Sequence, residues 1–269
     1  MGQRFSFFWG YPARLGLLVC MAGLLCLSAA QRSRTRYRVQ TVVIDAGHGG
    51  KDPGTHGKKH REKDITLAIA LELGDVIEQY MPNVKVIYTR KTDVFIPLDE
   101  RAAIANRNNA DLFISIHCNA ISKASMHGTE TYCMGAHVNK GNLDVAKREN
   151  STILLEKDYL QKYDGFNPKS PLAHIFFSNM QSAHITNSLR FASHVEDQFA
   201  RRGGRVSRGV KQAGFIVLWK TAMPSALIET GYLTNAEEEK YLASKKGQVY
   251  LASAIYRAFR DYKEEMEGR

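Results

Sequence analysis

From Thr41 onward the apolar positions follow two alternating rhythms. Thr41–Ala46 is a short, largely apolar run and reads as a strand. Ile65, Ile69, Leu73, Val76 and Tyr80 recur at spacings of three and four, one face of an amphipathic helix, which Pro82 and Asn83 stop. Val84–Thr89 is a second strand, Leu98–Arg107 a second helix and Asp111–Ile116 a third strand. Gly128–Met134, Phe215–Trp219 and Ala226–Glu229 read as three more strands. Asn235 and Glu238 resemble a capping box that opens another helix. Gly247 is expected to break it before a final helix carrying Val249, Ala252, Tyr256 and Phe259 on one face. Strands alternating with helices predict an α/β fold: a single domain with a mostly parallel twisted sheet and helices on both faces.

One stretch departs from this rhythm. Residues 139–202 open with a polar segment interrupted by Pro168 and Pro171, and end in a helix marked by Ala192, Val195 and Phe199. A connection of this length inside a compact domain is usually a lid or a binding element, or else disordered. The stretch reads as a long, partly helical insertion.

Composition sets bounds on the rest. The 269 residues are 44% hydrophobic and 24% charged, which excludes disorder or a coiled coil for the whole chain. Residues 1–30 carry only Arg4 and Arg14 as charges, then an apolar run from Leu15 ending in Ser28-Ala29-Ala30. That is the layout of a secretory signal peptide, with an uncleaved membrane anchor as the alternative. Residues 31–40 read as a linker and 41–265 as the catalytic domain. The expected location is therefore exported and periplasmic, with no stable membrane span after cleavage. The formal net charge of +10 favours anionic surfaces. Export turns that reading away from nucleic acid and toward an anionic wall polymer or lipid, beside the plainer reading of solubility. Cys118 and Cys133 are the two cysteines beyond the signal, and an oxidising compartment leaves both a bridge and free packed thiols open.

Four side chains stand where chemistry is expected. His48 and His117 each follow an apolar strand, and ligands of open α/β sheets bind outside the carboxyl ends of strands. Glu62 follows a loop containing Gly49, Gly50, Gly54 and Gly57 that can fold back over that edge; the alternative is a helix N-terminal charge. Glu229 ends the buried run Ala226–Ile228, where a carboxylate needs a partner or a raised pKa. Two histidines and a glutamate could hold one zinc ion with a position open to water, leaving the second glutamate to move a proton. The glycine-rich run at Gly47–Lys51 lacks the spacing and the Ser or Thr of a phosphate-binding loop.

These residues sit in longer familiar segments. VVIDAGHGGKDPG (42–54) resembles the opening signature of the zinc-dependent N-acetylmuramoyl-L-alanine amidases. YTRKTD (88–93), Arg101 with Ala105-Asn106, ADLFISIHCNA (110–120) and ALIETGYLTN (226–235) follow in the order seen in that family. The resemblance implies one Zn2+ ion and hydrolysis of the amide between N-acetylmuramic acid and L-alanine of peptidoglycan. By motif, His48, Glu62 and His117 match the metal ligands and Glu229 the catalytic glutamate. Arg90 and Asn119 fall in family motifs, as substrate contacts or as braces of the strand-end loops. The insertion resembles that of Gram-negative cell-separation amidases, in which a helix covers the zinc until a protein activator displaces it. Glu149, in AKRENS (146–151), could then be a blocking ligand, or a solvated helix glutamate. A zinc carboxypeptidase or other peptide amidase is the alternative enzyme, and an inactive wall-binding regulator the alternative of another class.

Overall fold

The computed structural model describes Gly2 and residues 38–136, 139–178, 183–202 and 204–268. The expected signal peptide lies outside them, apart from Gly2. The compact unit begins at Arg38. Val39 is fully buried and donates its backbone N–H to Glu267, so Val39 and Gln40 belong to the domain rather than to the linker expected over 31–40.

Six strands form one sheet: β1 (Thr41–Ala46), β2 (Lys85–Tyr88), β3 (Leu112–Asn119), β4 (Thr129–Met134), β5 (Ser207–Ala213) and β6 (Ser225–Tyr232). Their order is β2-β1-β3-β6-β4-β5. Every neighbouring pair is parallel except β4 with β6, which is antiparallel. The helices are α1 (Glu62–Tyr80), α2 (Leu98–Arg107), α3 (Lys140–Asn150), α4 (Tyr159–Lys162), α5 (Pro171–Ser178), α6 (Ile185–Arg201), α7 (Ile216–Trp219), α8 (Ala236–Ala243) and α9 (Lys245–Glu267). A 3-10 turn, Ser151–Leu155, follows α3.

Successive strand residues point to opposite faces, and two cores result. Val42, Ile44 and Ala46 join Ile114, Ile116 and Ile228 under α1, α6 and α9. Val43, Phe113, Tyr132 and Leu227 pack on the other face with residues of α2, α7 and the insertion, including Val145, Ile153, Phe166 and Phe177. The chain passes from β1 to β2 on one side and then to β3 on the other. The carboxyl ends of β1 and β3 thus flank a topological switch point, the usual crevice for a ligand.

Several expectations change here. Phe215–Trp219 is not a strand: Phe215 is extended, and Ile216–Trp219 form a short helix. A continuous apolar run has no period to separate helix from strand. The sixth strand is instead β5, whose polar sequence SRGVKQA hides it because it lies half-buried at the sheet edge. Strand β3 runs two residues past His117, so that histidine lies within the strand. On α1 the buried stripe ends with Ile77, and Tyr80 is exposed. The break before α9 falls at Ser244, whose hydroxyl accepts from Gly247 N–H. Gly247 lies inside the first turn, where a Cβ would come within 2.0 Å of the Tyr241 carbonyl oxygen. Cys118 and Cys133 are both free and buried.

Beneath the crevice is a buried ion pair. Asp45 accepts from Arg101 at 2.9 Å, from Thr89 at 2.6 Å and from Ser115 at 2.7 Å. Burial alone would raise its pKa, but Arg101 and the hydroxyls hold it below the usual carboxylate value. Arg101→Met leaves that carboxylate without its counter-charge and is expected to cost about 3–5 kcal/mol, measured by urea unfolding. Because the folded pKa of Asp45 is depressed, its share of stability is complete above about pH 4. It is lost as the pH falls through the lower folded value. A urea midpoint unchanged in the variant would remove this role.

Candidate metal centre and active site

The loop after β1 builds the first half of the site. His48 takes a left-handed backbone, φ 61°, unusual for a side chain with a Cβ. Two buried guanidinium groups brace it. Arg101 donates to the Ala46 carbonyl at 2.9 Å and the His48 carbonyl at 2.8 Å. Arg90 donates to Ala46 at 3.0 Å, Gly47 at 2.7 Å and Lys63 at 2.8 Å. Arg90 is thus engaged by three backbone carbonyls around the strand ends. Gly47 lets the strand ends close, since a Cβ there would lie 2.5 Å from the His117 ring.

His48 Nδ1 lies 2.8 Å from Asp52 Oδ2. An ionised carboxylate only accepts, so this contact puts the proton on Nδ1 and leaves Nε2 as the free donor atom for a ligand. Glu62, the first residue of α1, is fully buried. Its oxygens accept from Thr55 N–H and Cys118 N–H, both at 2.8 Å, which fixes its orientation. His117 Nδ1 lies 3.1 Å from Glu62 Oε1, and His48 Nε2 lies 3.1 Å from Glu62 Oε2.

The fourth group comes from the insertion. Asn139 caps α3 through the Asn142 N–H, and the last turn of that helix drives Glu149 into the crevice. Glu149 is buried, not solvated. Its Oε2 lies 3.2 Å from His48 Nε2 and 3.0 Å from His117 Nδ1. One ligand atom from each of His48, Glu62, His117 and Glu149 falls within a mutual 4.8 Å. Arg148 beside it donates to Glu229 Oε1 at 3.1 Å and to Asn119 Oδ1 at 3.1 Å. Asn119 is turned inward, donating its amide to Glu130 at 3.1 Å. Thr152, one turn on, donates to Asp52 at 3.0 Å.

The electrostatics suit a cation. Burial works against charging His117, yet the Glu149 and Glu62 carboxylates push its pKa up to about 9. His48 is likewise raised despite burial, chiefly by Glu62. Burial would raise Glu62, but the His48 charge draws it down to about 2. Glu149 is held low by Arg148 and His117, against its burial. Two carboxylates facing two imidazoles call for positive charge at their centre. His48 Nε2 and Glu149 Oε2 also have no aligned hydrogen bond, although both are buried. Such orphaned atoms pointing at one spot fit a metal ion, and an N/O donor set suits zinc. Glu229 differs: burial raises its pKa to about 8, against the pull of Arg148, and its Oε2 is left without a hydrogen bond.

Sequence reasoning did not single out Asp52, Arg148 or Thr152. Asp52 carried a signal, a carboxylate four residues after His48 in the same glycine-rich loop. Asp52→Ala frees the His48 ring to turn and is expected to weaken the binding of a metal ion at this cluster by about 10–100-fold, measured by chelator competition. Unchanged affinity would show that the ring needs no such support.

The pattern described as N-acetylmuramoyl-L-alanine amidase matches residues 42–261. The chain belongs to that family. The matched span takes in the ligand cluster, Glu229 and the whole insertion. Among amidase relatives, AmiC of Escherichia coli O6:H1 is 34% identical over 228 residues, 84% of this chain and 54% of that protein. The chain therefore spans about half the length of that relative. The catalytic domain of the amidase CwlV from Paenibacillus polymyxa superposes with TM-score 0.61 at 30% identity, covering 83% of this chain and 97% of the other. The amidase CwlD of Clostridioides difficile, solved in complex with the GerS lipoprotein, superposes with TM-score 0.60 at 26% identity, covering 83% and 98%. These folds bear out the single α/β domain with helices on both faces of its sheet.

Proposed function

We propose that this chain hydrolyses the amide between N-acetylmuramic acid and the L-alanine of peptidoglycan stem peptides. The observation that carries the reading is the convergence of His48, Glu62 and His117 beside the buried, half-unpartnered Glu229. Zinc held by the three would polarise the scissile carbonyl and lower the pKa of water. Glu229 serves as general base: its free Oε2 takes a proton from water and returns it to the leaving nitrogen. A pKa raised toward neutrality suits a group that must do both. Arg90 and Arg101 keep the His48 loop in place behind the site.

In this reading Glu149 is a blocking ligand and Arg148 a cap on the base. The site works after α3 withdraws, and the partner that draws it out is a protein activator. The complex of CwlD with GerS is a relative's assembly with a protein partner. Export to the periplasm rests on the N-terminal 30 residues; no helix among the described residues is long and apolar enough to cross a membrane.

The test uses the full chain, a defined muramyl-peptide and mass spectrometry, with zinc and with a chelator. Zinc-dependent release of an intact peptide starting at L-alanine supports the assignment. A cut inside the peptide moves it to the peptidase alternative. Zinc-loaded protein with no cleavage under any condition, including the following variant, sinks it. Arg148→Ala with Glu149→Ala is expected to raise the activity of the isolated protein about tenfold or more, because the closed state loses its contacts to both halves of the site. Equal rates with and without these side chains would end the self-inhibition reading.

A further inference from the structure

A cavity of about 420 Å³ lies between α3 and the sheet at β4 and β5, and Arg148 reaches from its wall to Glu229. Asn119, Glu130, Tyr132, Lys211 and Tyr232 line it from the sheet, and Asn142, Val145 and Arg148 of α3 close the other side, so that withdrawal of α3 exposes the sheet wall. Glu130 and Glu229 are directly opposed across β4 and β6, so their side chains share one face. Nothing in the proposed hydrolysis uses this cavity, yet it holds a charged pair on its wall.

Glu130 is buried and its acceptor sites are filled. Tyr132 donates to it at 2.6 Å, Tyr232 at 2.5 Å, Asn119 at 3.1 Å, and Lys211 Nζ lies 2.6 Å away. Burial would raise its pKa, but Lys211 and the tyrosines keep it low, so it stays an anchored anion. Lys211 is different. Its ammonium has three donors, Glu130 is its one ion-pair partner among the described residues, and its side chain remains about a quarter exposed. The pair therefore presents a fixed ammonium with unused N–H groups to the cavity.

The reach fits a peptide. Neighbouring strands lie about 4.8 Å apart, so Lys211 on β5 is roughly two spacings from Glu229 on β6, and its side chain turns back one spacing to Glu130. An extended peptide advances about 3.3 Å per residue. A chain whose alanine nitrogen leaves at Glu229 brings its second residue to Lys211. In a stem peptide that residue is a γ-linked D-glutamate, whose α-carboxyl is either a free carboxylate or a carboxamide.

We infer that this cavity is the subsite for the stem peptide, and that Lys211, held by Glu130, is the residue selecting a free carboxylate on its second residue. The inference rests on the amidase reading above. The experiment measures binding of two tripeptides by calorimetry to the full chain carrying Arg148→Ala and Glu149→Ala, which frees the site and is the background for every further variant: L-alanyl-γ-D-glutamyl-L-lysine, and the same peptide with its D-glutamyl α-carboxyl as carboxamide. This opened chain is expected to bind the carboxylate about tenfold more tightly, the value of a charge-assisted hydrogen bond. Lys211→Arg keeps the preference. The balanced double variant Glu130→Gln, Lys211→Met, which leaves no buried charge unpaired, reduces it to less than about twofold. Equal binding of the two peptides by the opened chain, no binding of either, or an undiminished preference once Glu130→Gln and Lys211→Met are added overturns the inference. Hydrolysis of the muramyl-peptide, followed in parallel, reports separately on the amidase reading: its failure leaves the binding ratio readable.

Discussion

Glu229→Gln is expected to lower the turnover of a muramyl-peptide by about 100- to 10,000-fold, the range for removing a positioned general base. The substitution keeps the shape of the side chain, so the β6 register with β3 and β4 has no reason to change. Burial already disfavours the Glu229 charge, pushing its pKa up to about 8, so a neutral amide in its place makes a loss of stability an unsuitable explanation. Zinc content should stay at wild-type level, because Glu229 lies outside the four-residue cluster. Activity within about tenfold of wild type would take the proton-transfer role from Glu229. A fall in bound zinc would make it a ligand instead.

The second large effect concerns the metal. In the background of Glu149→Ala, which removes the insertion's carboxylate, His117→Ala is expected to weaken zinc binding by more than about 100-fold. Loss of a residue that merely orients a ligand already costs about 10–100-fold, and this change removes a donor atom itself. Elemental analysis of the purified protein would then find far less than one zinc per chain, and hydrolysis would vanish with it. Stoichiometric zinc in the double variant would show that His117 is not needed to hold the ion. The Glu149→Ala background matters, because with that carboxylate present His48, Glu62 and Glu149 still offer three donors.

The glutamate on α3 shows how the two halves of the protein are linked. Its contacts run to both histidines, while Arg148 reaches Glu229, Asn119 and the Ala120 carbonyl. The same turn continues into Thr152, on Asp52, and Lys51 reaches back to the Leu155 carbonyl. At the site itself, a partner that pulls on α3 would therefore break polar contacts, which rehydrate readily. The apolar side chains Val145, Ala146 and Ile153 of the insertion do pack on the sheet, and they set what such a partner must replace.

How much of the chain was legible in its sequence depended on range. The alternation of β1, α1, β2, α2 and β3 was legible because amphipathic period is a local property, set by which face of each element is buried. His48 stood out for the same reason, coming just after an apolar run at the edge where α/β sheets bind ligands. His117 was found by the same signal, although its strand runs on to Asn119. Glu62 was a candidate because its glycine-rich loop can fold back over that sheet edge, and Glu229 because a carboxylate at the end of a buried strand needs a partner or a raised pKa. Sequence by itself thus determined the α/β class, the order of most elements and the chemical types available at one sheet edge. Only the tertiary structure decided that β5 is a strand and Ile216–Trp219 a helix, since an edge strand can be polar and a fully buried run has no period. It also decided that β4 runs antiparallel to β6, bringing Glu130 opposite Glu229. Above all it decided that Arg148 and Glu149, on a helix far along the chain from His48 and Glu62, meet the site. Such contacts depend on how a long connection packs back onto the sheet, and no local period encodes that.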